Sequence, residues 1–407
     1  MSLAVRPRAS REGGSRSHRL HVQFVIDSLG PGGTERSLTE MLPRLRDAGI
    51  DPSIVCMVRR REGFLDEVVE GGFEVRSLSA RGRIARILEF RRILVGRRPR
   101  VVHTMLFEAD LAARVAAAGL GIPVVTSLVG MPYHAARLRD PNVKRWRLRA
   151  AQALDGWTAR HLTTHFHAVS GATAEHGVRS LGIRAADVSV IHRGRDGGRL
   201  GRPGADRRAL ARERFALGTD ERVVACVGRQ EFQKGHVHLL EAIASLSPGA
   251  RPTVLLAGRG GNASQLLRRR RDELGVGDRV RLLGHRDDIA EILASADLFA
   301  LPSLFEGLPG AVIEALGLGL PIVASDIPAI RETVEPGSNG VLVPPGDART
   351  LGTAIDELLD DPQRMSSFGA RSRAIFEERF TLEGSARVMI DLYRRLDARR
   401  RREEAQA

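Results

Sequence analysis

Residues 298–325 read LFALPSLFEGLPGAVIEALGLGLPIVAS. The opening LFALPS is a short apolar run closed by turn residues, the pattern of a buried strand. Pro309 then pre-sets a first helical turn, the following stretch is rich in helix formers, and PIVAS returns to strand. Strand, loop, helix, strand is the unit from which parallel sheets are built. Its loop carries Glu306 and its helix carries Glu314.

The same rhythm continues on both sides. VVACVG (223–228), TVLLAG (253–258), VRLLG (280–284) and GVLV (340–343) complete one alternating series, and a helical tail follows Asp347. An earlier series begins at LHVQFVID (20–27) and continues with strands expected at 52–57, 73–78, 101–103, 124–126 and 166–169. After the first strand, LGPGG makes a turn into a helix whose Leu38, Met41, Leu42 and Leu45 share one face, with Gly49 as its stop signal. Residues 189–208 lose this apolar rhythm and gain Gly, Pro and Arg, which marks an interdomain connection. The expectation is an α/β chain of two doubly wound, Rossmann-like lobes: a disordered basic arm at 1–18, lobes at 19–197 and 198–375, and a final helix with charged tail at 376–407. A length of 407 residues fits two cores.

Composition narrows the function. No apolar run reaches membrane-spanning length, and residues 1–18 lack the apolar core of a secretory signal. Cys56 and Cys226 lie far apart with no metal-ligand spacing, which fits a reducing cytoplasm. The net charge of +14 sits wholly in residues 1–200, where 33 Lys+Arg face 19 Asp+Glu. A cationic first half suits an anionic partner such as a membrane surface, a lipid-linked phosphate or an acidic polymer, and equally an arginine-rich background. Two basic stretches, 81–98 and 143–157, read either as helices lying on anionic lipid or as ordinary lobe helices with a solvated arginine face.

In a doubly wound sheet ligands sit beyond the carboxyl ends of the strands, so the loops leaving them carry the chemistry. The turn Gly30–Glu35 places Gly32 and Gly33 before a helix N-terminus suited to a diphosphate. It lacks the GxGxxG spacing, which disfavours a nicotinamide oxidoreductase. In Gly228–Gly235, Arg229 and Lys234 flank a loop that opens a helix, where two cations could neutralise a nucleoside diphosphate leaving group. Only two of the chain's cations are lysines, Lys144 and Lys234, so a lysine here is not what the background supplies. Glu306 faces the end of its strand, Glu314 could accept hydrogen bonds from two ribose hydroxyls, and the amides of Gly307 and Leu308 would face phosphate. His285 and Arg286 follow a strand end where backbone groups can read a nucleobase; an N-cap by Asp287 is the plainer reading.

Taken in order, GGTE near the N-terminus, VGRQEFQKG, FEGLPGAVIEALGLGLPIVASD and NGVLVPPGD resemble family-four retaining glycosyltransferases of the GT-B fold, over residues 20 to about 380. The resemblance implies two lobes facing a central cleft, with the last helix crossing back to the first lobe. It implies that Arg229 and Lys234 hold the donor diphosphate, Glu314 the ribose and Glu306 the transferred sugar, with Gly32 and Gly33 near the phosphates. It implies retention of anomeric configuration without metal or cofactor, and no Asp-x-Asp occurs in the chain. The donor is then a UDP- or GDP-linked sugar and the acceptor a glycan or lipid-linked precursor. Nucleic acid is not expected, and the location is cytoplasmic or peripheral on the inner face of the membrane.

Two positions depart from the family. Leu128 stands where many members carry a sugar-contacting histidine, so His103 or His134 substitutes, or the sugar is held differently. Arg193-Gly194-Arg195-Asp196 replaces an Asn-Gly pair, and its arginines would suit an anionic acceptor. A catalytically silent GT-B protein that binds nucleotide sugar or anionic lipid is the alternative reading.

Overall fold

The computed structural model describes residues 4–5, 20–60 and 62–406. The chain divides into two compact units. One comprises residues 1–133, 145–194 and 382–407, and the other residues 134–144 and 195–381. The arm expected at 1–18 lies outside the described residues except for Ala4–Val5, which form a strand. The connection falls at 194/195, the final helix begins at Leu382, and the segment 134–144 belongs with the second unit. All three differ from the expected boundaries. Periodicity locates elements, but only packing says which core a loop joins.

The sheet of the first unit has the order β1-β4-β3-β2-β5-β6-β7-β8. Its strands are β1 (Ala4–Val5), β2 (Leu20–Ile26), β3 (Ile50–Cys56), β4 (Glu74–Ser77), β5 (Val101–Met105), β6 (Val124–Leu128), β7 (His165–Ala168) and β8 (Val188–Val190). All pairings are parallel except that of β1 with β4. Two layers cover it. On one face Val22, Phe24 and Ile26 of β2 pack with Leu38 and Leu42 of the helix Gly33–Asp47 and with Met389 and Tyr393 of the last helix, Leu382–Gln406. On the other, Val25, Val55 and Val102 pack against Phe90 and Leu94 of the helix Arg83–Arg97 and the alanines of the helix Phe107–Ala117. The last helix thus completes the core of the first unit, as expected.

The second unit has a six-stranded parallel sheet, β11-β10-β9-β12-β13-β14. Its strands are β9 (Val223–Val227), β10 (Thr253–Ala257), β11 (Val280–Gly284), β12 (Leu298–Leu301), β13 (Ile322–Ser325) and β14 (Gly340–Val343). These match the expected runs to within two residues. Among the parallel strands of each sheet the order reverses once, between β2 and β5 in the first and between β9 and β12 in the second. At such a switch point neighbouring loops leave in opposite directions and open a crevice.

Candidate active site

The β9–β12 switch point gathers the residues marked in the sequence. From β9 the chain runs through Gly228 and Arg229 into a 3₁₀ turn, Phe232–Lys234, and then into the helix His236–Ser245. Gly235 turns the corner at φ +61, and a Cβ there would lie 2.1 Å from the Pro302 carbonyl of the neighbouring loop, so only glycine fits. The Leu304 amide donates to the Gln233 carbonyl at 2.8 Å, locking the two loops together.

That lock brings Lys234 Nζ to 2.5 Å from Glu306 Oε1. Glu306 also accepts from Ser303 Oγ at 2.7 Å and from Gln233 Nε2 at 3.3 Å. Both members of the ion pair are largely buried, with side chains 15% and 6% exposed. Arg229 differs: it is 52% exposed and its guanidinium lies 4.0 Å from Glu231. It is a half-exposed cation on the loop that leaves β9. Gly307 and Leu308 precede the helix Gly310–Gly317, whose N-cap is Pro309.

Glu314 lies inside that helix, and its Oε1 accepts from Arg195 Nε at 2.7 Å, with both side chains buried. The guanidinium lies across the first helical turn, so a Cβ on Gly310 would meet it at 2.0 Å. Arg195 is therefore not an acceptor-facing arginine: it belongs to the second unit, and it neutralises the carboxylate expected to hold ribose. Burial of a carboxylate calls for such a partner.

His134 is also placed differently from expectation. It belongs to the second unit, where its ring stacks on Phe305, the neighbour of Glu306, with centroids 5.1 Å apart and planes 18° apart. Asn262 ties the rest of its segment down by donating to Asp140 at 2.9 Å. Of the two histidines offered in place of Leu128, His134 stands beside the Glu306 loop. Its pKa is lowered by burial, which favours the neutral ring.

His103 does not serve there. It is fully buried on β5, with Nδ1 2.5 Å from Tyr393 Oη and Nε2 2.7 Å from Ser127 Oγ. Ser127 Oγ lies 2.8 Å from His167 Nδ1, and His167 Nε2 lies 3.0 Å from the Ile191 carbonyl. A carbonyl can only accept, so His167 donates to it and accepts from Ser127, which accepts from His103, which accepts from Tyr393. One direction of donation satisfies the whole line with both histidines neutral. Burial lowers the His167 pKa to about 4, lowers that of His103 well below its ordinary value and raises that of Tyr393.

In the first unit Gly32 is the N-cap of the helix Gly33–Asp47, and a Cβ on Gly33 would lie 3.2 Å from Arg193 Nη1. Arg193 is thus at the glycine turn, where it adds a cation to a helix N-terminus. At the β2–β5 switch point stands a residue the sequence reading missed. Asp27, just past β2, accepts from the Ala109 amide at 2.8 Å, and burial raises its pKa to about 6. The neighbouring Leu106 holds φ +77, a conformation rare outside glycine. The residue after the first strand was the available signal, since Asp is the last letter of LHVQFVID.

Beyond β11, His285 is half exposed and 3.6 Å from Asp287, and Arg286 is paired with Asp288 at 2.5 Å. The residue at the N-cap position of the next helix is Asp288 rather than Asp287, and its carboxylate accepts from Arg286 instead of capping the helix. A groove lined by Pro203, Leu293, Leu318 and Met365 lies instead at the amino ends of the strands, apart from these groups. Among the described residues no cluster of His, Cys, Asp or Glu could hold a metal ion.

Two families account for the two units. The family of Glycosyl transferases group 1 matches residues 208–375, and the Glycosyl transferase 4-like domain matches residues 32–194. The chain is a glycosyltransferase that carries a group 1 domain in its second unit and a 4-like domain in its first. It is 26% identical to an alpha-D-kanosaminyltransferase of Streptomyces kanamyceticus over 93% of this chain and 99% of that one. It is 25% identical to an Escherichia coli UDP-Gal:alpha-D-GlcNAc-diphosphoundecaprenol alpha-1,3-galactosyltransferase over 84% and 87% of the two chains. Anabaena HepE, solved with UDP and glucose, superposes with a TM-score of 0.80 at 22% identity, covering 92% of this chain and 99% of that chain. The fold is GT-B, as the sequence implied.

Proposed function

We propose that this glycosyltransferase binds a UDP- or GDP-linked sugar at the β9–β12 switch point and transfers the sugar with retention, without metal. The observation that carries this is the buried Lys234–Glu306 pair at the carboxyl ends of two adjacent parallel strands. A nucleoside diphosphate leaving group develops negative charge as the C1–O bond breaks. Lys234, exposed Arg229 and the amides before the helix Gly310–Gly317 are the groups suited to meet it, so a divalent ion is not needed. Glu306, held by three donors, accepts from hydroxyls of the transferred sugar. Glu314 accepts from the ribose while sharing its charge with Arg195. The acceptor hydroxyl attacks C1 on the face from which the diphosphate departs and gives its proton to the departing phosphate oxygen. The UDP bound to Anabaena HepE and the UDP-galactose donor in the E. coli relative's name support this donor class.

We assign the acceptor to the first unit, where Asp27, strained Leu106 and Arg193 border the β2–β5 switch point and the glycine turn. A lipid-linked or glycoconjugate precursor is the favoured class, supported by the diphosphoundecaprenol acceptor named for the E. coli relative. Such an acceptor would put the enzyme at a membrane, on the inner face where nucleotide sugars are made. The test is thermal stabilisation of the full chain by UDP, GDP, ADP, NAD and the common UDP- and GDP-sugars with chelator present. Stabilisation by one nucleoside diphosphate and its sugar supports the reading and names the donor. A response to NAD alone, or strict dependence on a divalent ion, overturns it. Donor binding without turnover across lipid-linked and soluble acceptors would favour the silent protein instead.

A further inference from the structure

The helix Arg145–Leu162 presents a face that packing does not explain. Its inner side is fixed: Asp155 accepts from Arg114 of the helix Phe107–Ala117 at 2.6 Å and from Tyr133 Oη at 2.8 Å, and Thr158 and Ala159 are buried beside it. With 3.6 residues per turn, Trp146, Ala150, Ala153, Leu154 and Trp157 then fall together on the opposite side. All five are exposed, Trp146 by 67% and Trp157 by 53%. These are the only two tryptophans in the chain, and both stand in solvent about 16 Å apart along one helix.

The surroundings extend this face. The helix Phe107–Ala117 packs between the helices Arg83–Arg97 and Arg145–Leu162 on one side of the sheet. Ile84, Leu88 and Val95 of the former are exposed as well, spaced four and seven residues apart on one stripe. Six of the twelve large apolar side chains exposed among the described residues therefore lie on these two helices. Scattered exposed apolar residues need no explanation, but a layer of them does. The charge beside the tryptophans has one sign. Arg145, Arg147 and Arg149 are exposed, and between residues 141 and 174 the sole carboxylate is the buried Asp155.

We propose that the outer face of these helices is a docking surface for an anionic lipid bilayer, with Trp146, Leu154 and Trp157 inserted at the headgroup level and the arginines on lipid phosphates. Amphipathic indoles beside arginines suit that boundary. A second copy of the chain is disfavoured, because it would set arginines against arginines. The surface is independent of the donor site, so its test reads vesicle binding, with nucleotide stabilisation serving only to show that a variant is folded.

Because both tryptophans are on the stripe, the intrinsic fluorescence of the full chain reports this face alone. We expect a blue shift and quenching by brominated lipid on mixing with phosphatidylglycerol–phosphatidylcholine vesicles, at least tenfold weaker binding to pure phosphatidylcholine, and weakening with salt. Trp146→Ser/Leu154→Ser/Trp157→Ser should lower binding in vesicle sedimentation at least tenfold while UDP or GDP still stabilises it. Arg145→Glu/Arg149→Glu, which retains both indoles, should do the same by fluorescence and serves if the triple variant does not fold. An unshifted spectrum, vesicle binding unchanged in both variants, or a concentration-dependent dimer abolished by either would overturn the proposal.

Discussion

At the β9–β12 junction of the second unit, Lys234, Ser303 and Gln233 converge on one carboxylate, Glu306, while the first unit strings Tyr393, His103, Ser127 and His167 into a line ending on a backbone carbonyl. Both are buried polar networks near the carboxyl ends of parallel strands. They differ in how charge and hydrogen-bonding capacity are used. The histidine line is neutral and each of its groups donates or accepts in turn, leaving it nothing to offer a ligand. The glutamate cluster concentrates charge at the β9–β12 switch point, and a further cation, Arg229, is half exposed on the loop leaving β9. A closed network holds structure, and one with charge at a crevice can exchange a partner for a ligand.

The comparison is broken most sharply by the ion pairs. Glu306 keeps two neutral donors when Lys234 is removed, whereas Glu314 relies on the Arg195 guanidinium. Arg195→Met should therefore cost about 3–5 kcal/mol of stability by leaving a buried carboxylate without its cation. Urea denaturation measures it, and a loss under about 1 kcal/mol would show that Glu314 does not need Arg195. Lys234→Ala should fold with a cooperative melt yet lose about 10²–10³-fold in kcat/KM, the cost typical of removing one group that stabilises transition-state charge. Wild-type turnover in that variant would remove the site assignment.

The neutral line has a pH signature. Unfolded His167 titrates near 6.5 and folded His167 near 4, so above pH 6.5 neither state is protonated there and stability is unaffected. As the pH falls from 6.5 to 4 the unfolded chain takes the proton first, and stability drops by up to about 3 kcal/mol. His103 shifts in the same direction. Urea midpoints at pH 7 and 4.5 should therefore converge in His167→Gln relative to the wild type, and equal slopes in the two proteins would contradict the assignment.

Much of this was legible in the order of residues. The alternation of short apolar runs with amphipathic stretches pointed to an α/β chain, and strands such as VRLLG and GVLV begin and end where their apolar letters do. Lys234 and Glu306, which the structure pairs, could be singled out because a lone lysine among arginines and a carboxylate after a strand are local signals. Arg195 and His134 were misplaced because the unit a loop joins is decided by long-range partners, Glu314 and Phe305, with no sequence spacing to announce them. His103 was misread for a related reason. A histidine on a strand looks alike whether it faces a ligand or a core, and its partner Tyr393 lies 290 residues further on. Asp27 was missed because its role depends on the strand order, which periodicity does not give.

The smallest effect tests the histidine line at its far end. Tyr393 enters from the last helix and is the first donor in the series, so Tyr393→Phe removes one hydroxyl and leaves the ring packed against Phe24 and His103. His103 Nδ1 then loses its donor, while every later bond in the line keeps its direction. A buried acceptor left unmatched costs about 1–2 kcal/mol, which for a chain of this size lowers Tm by a few degrees. Transfer should be unchanged under conditions where the protein is folded, since every hydrogen bond of the line is made within the first unit. A Tyr393→Phe enzyme that melts like the wild type but transfers poorly would show that the line is chemical after all, and that the last helix serves the acceptor rather than the core.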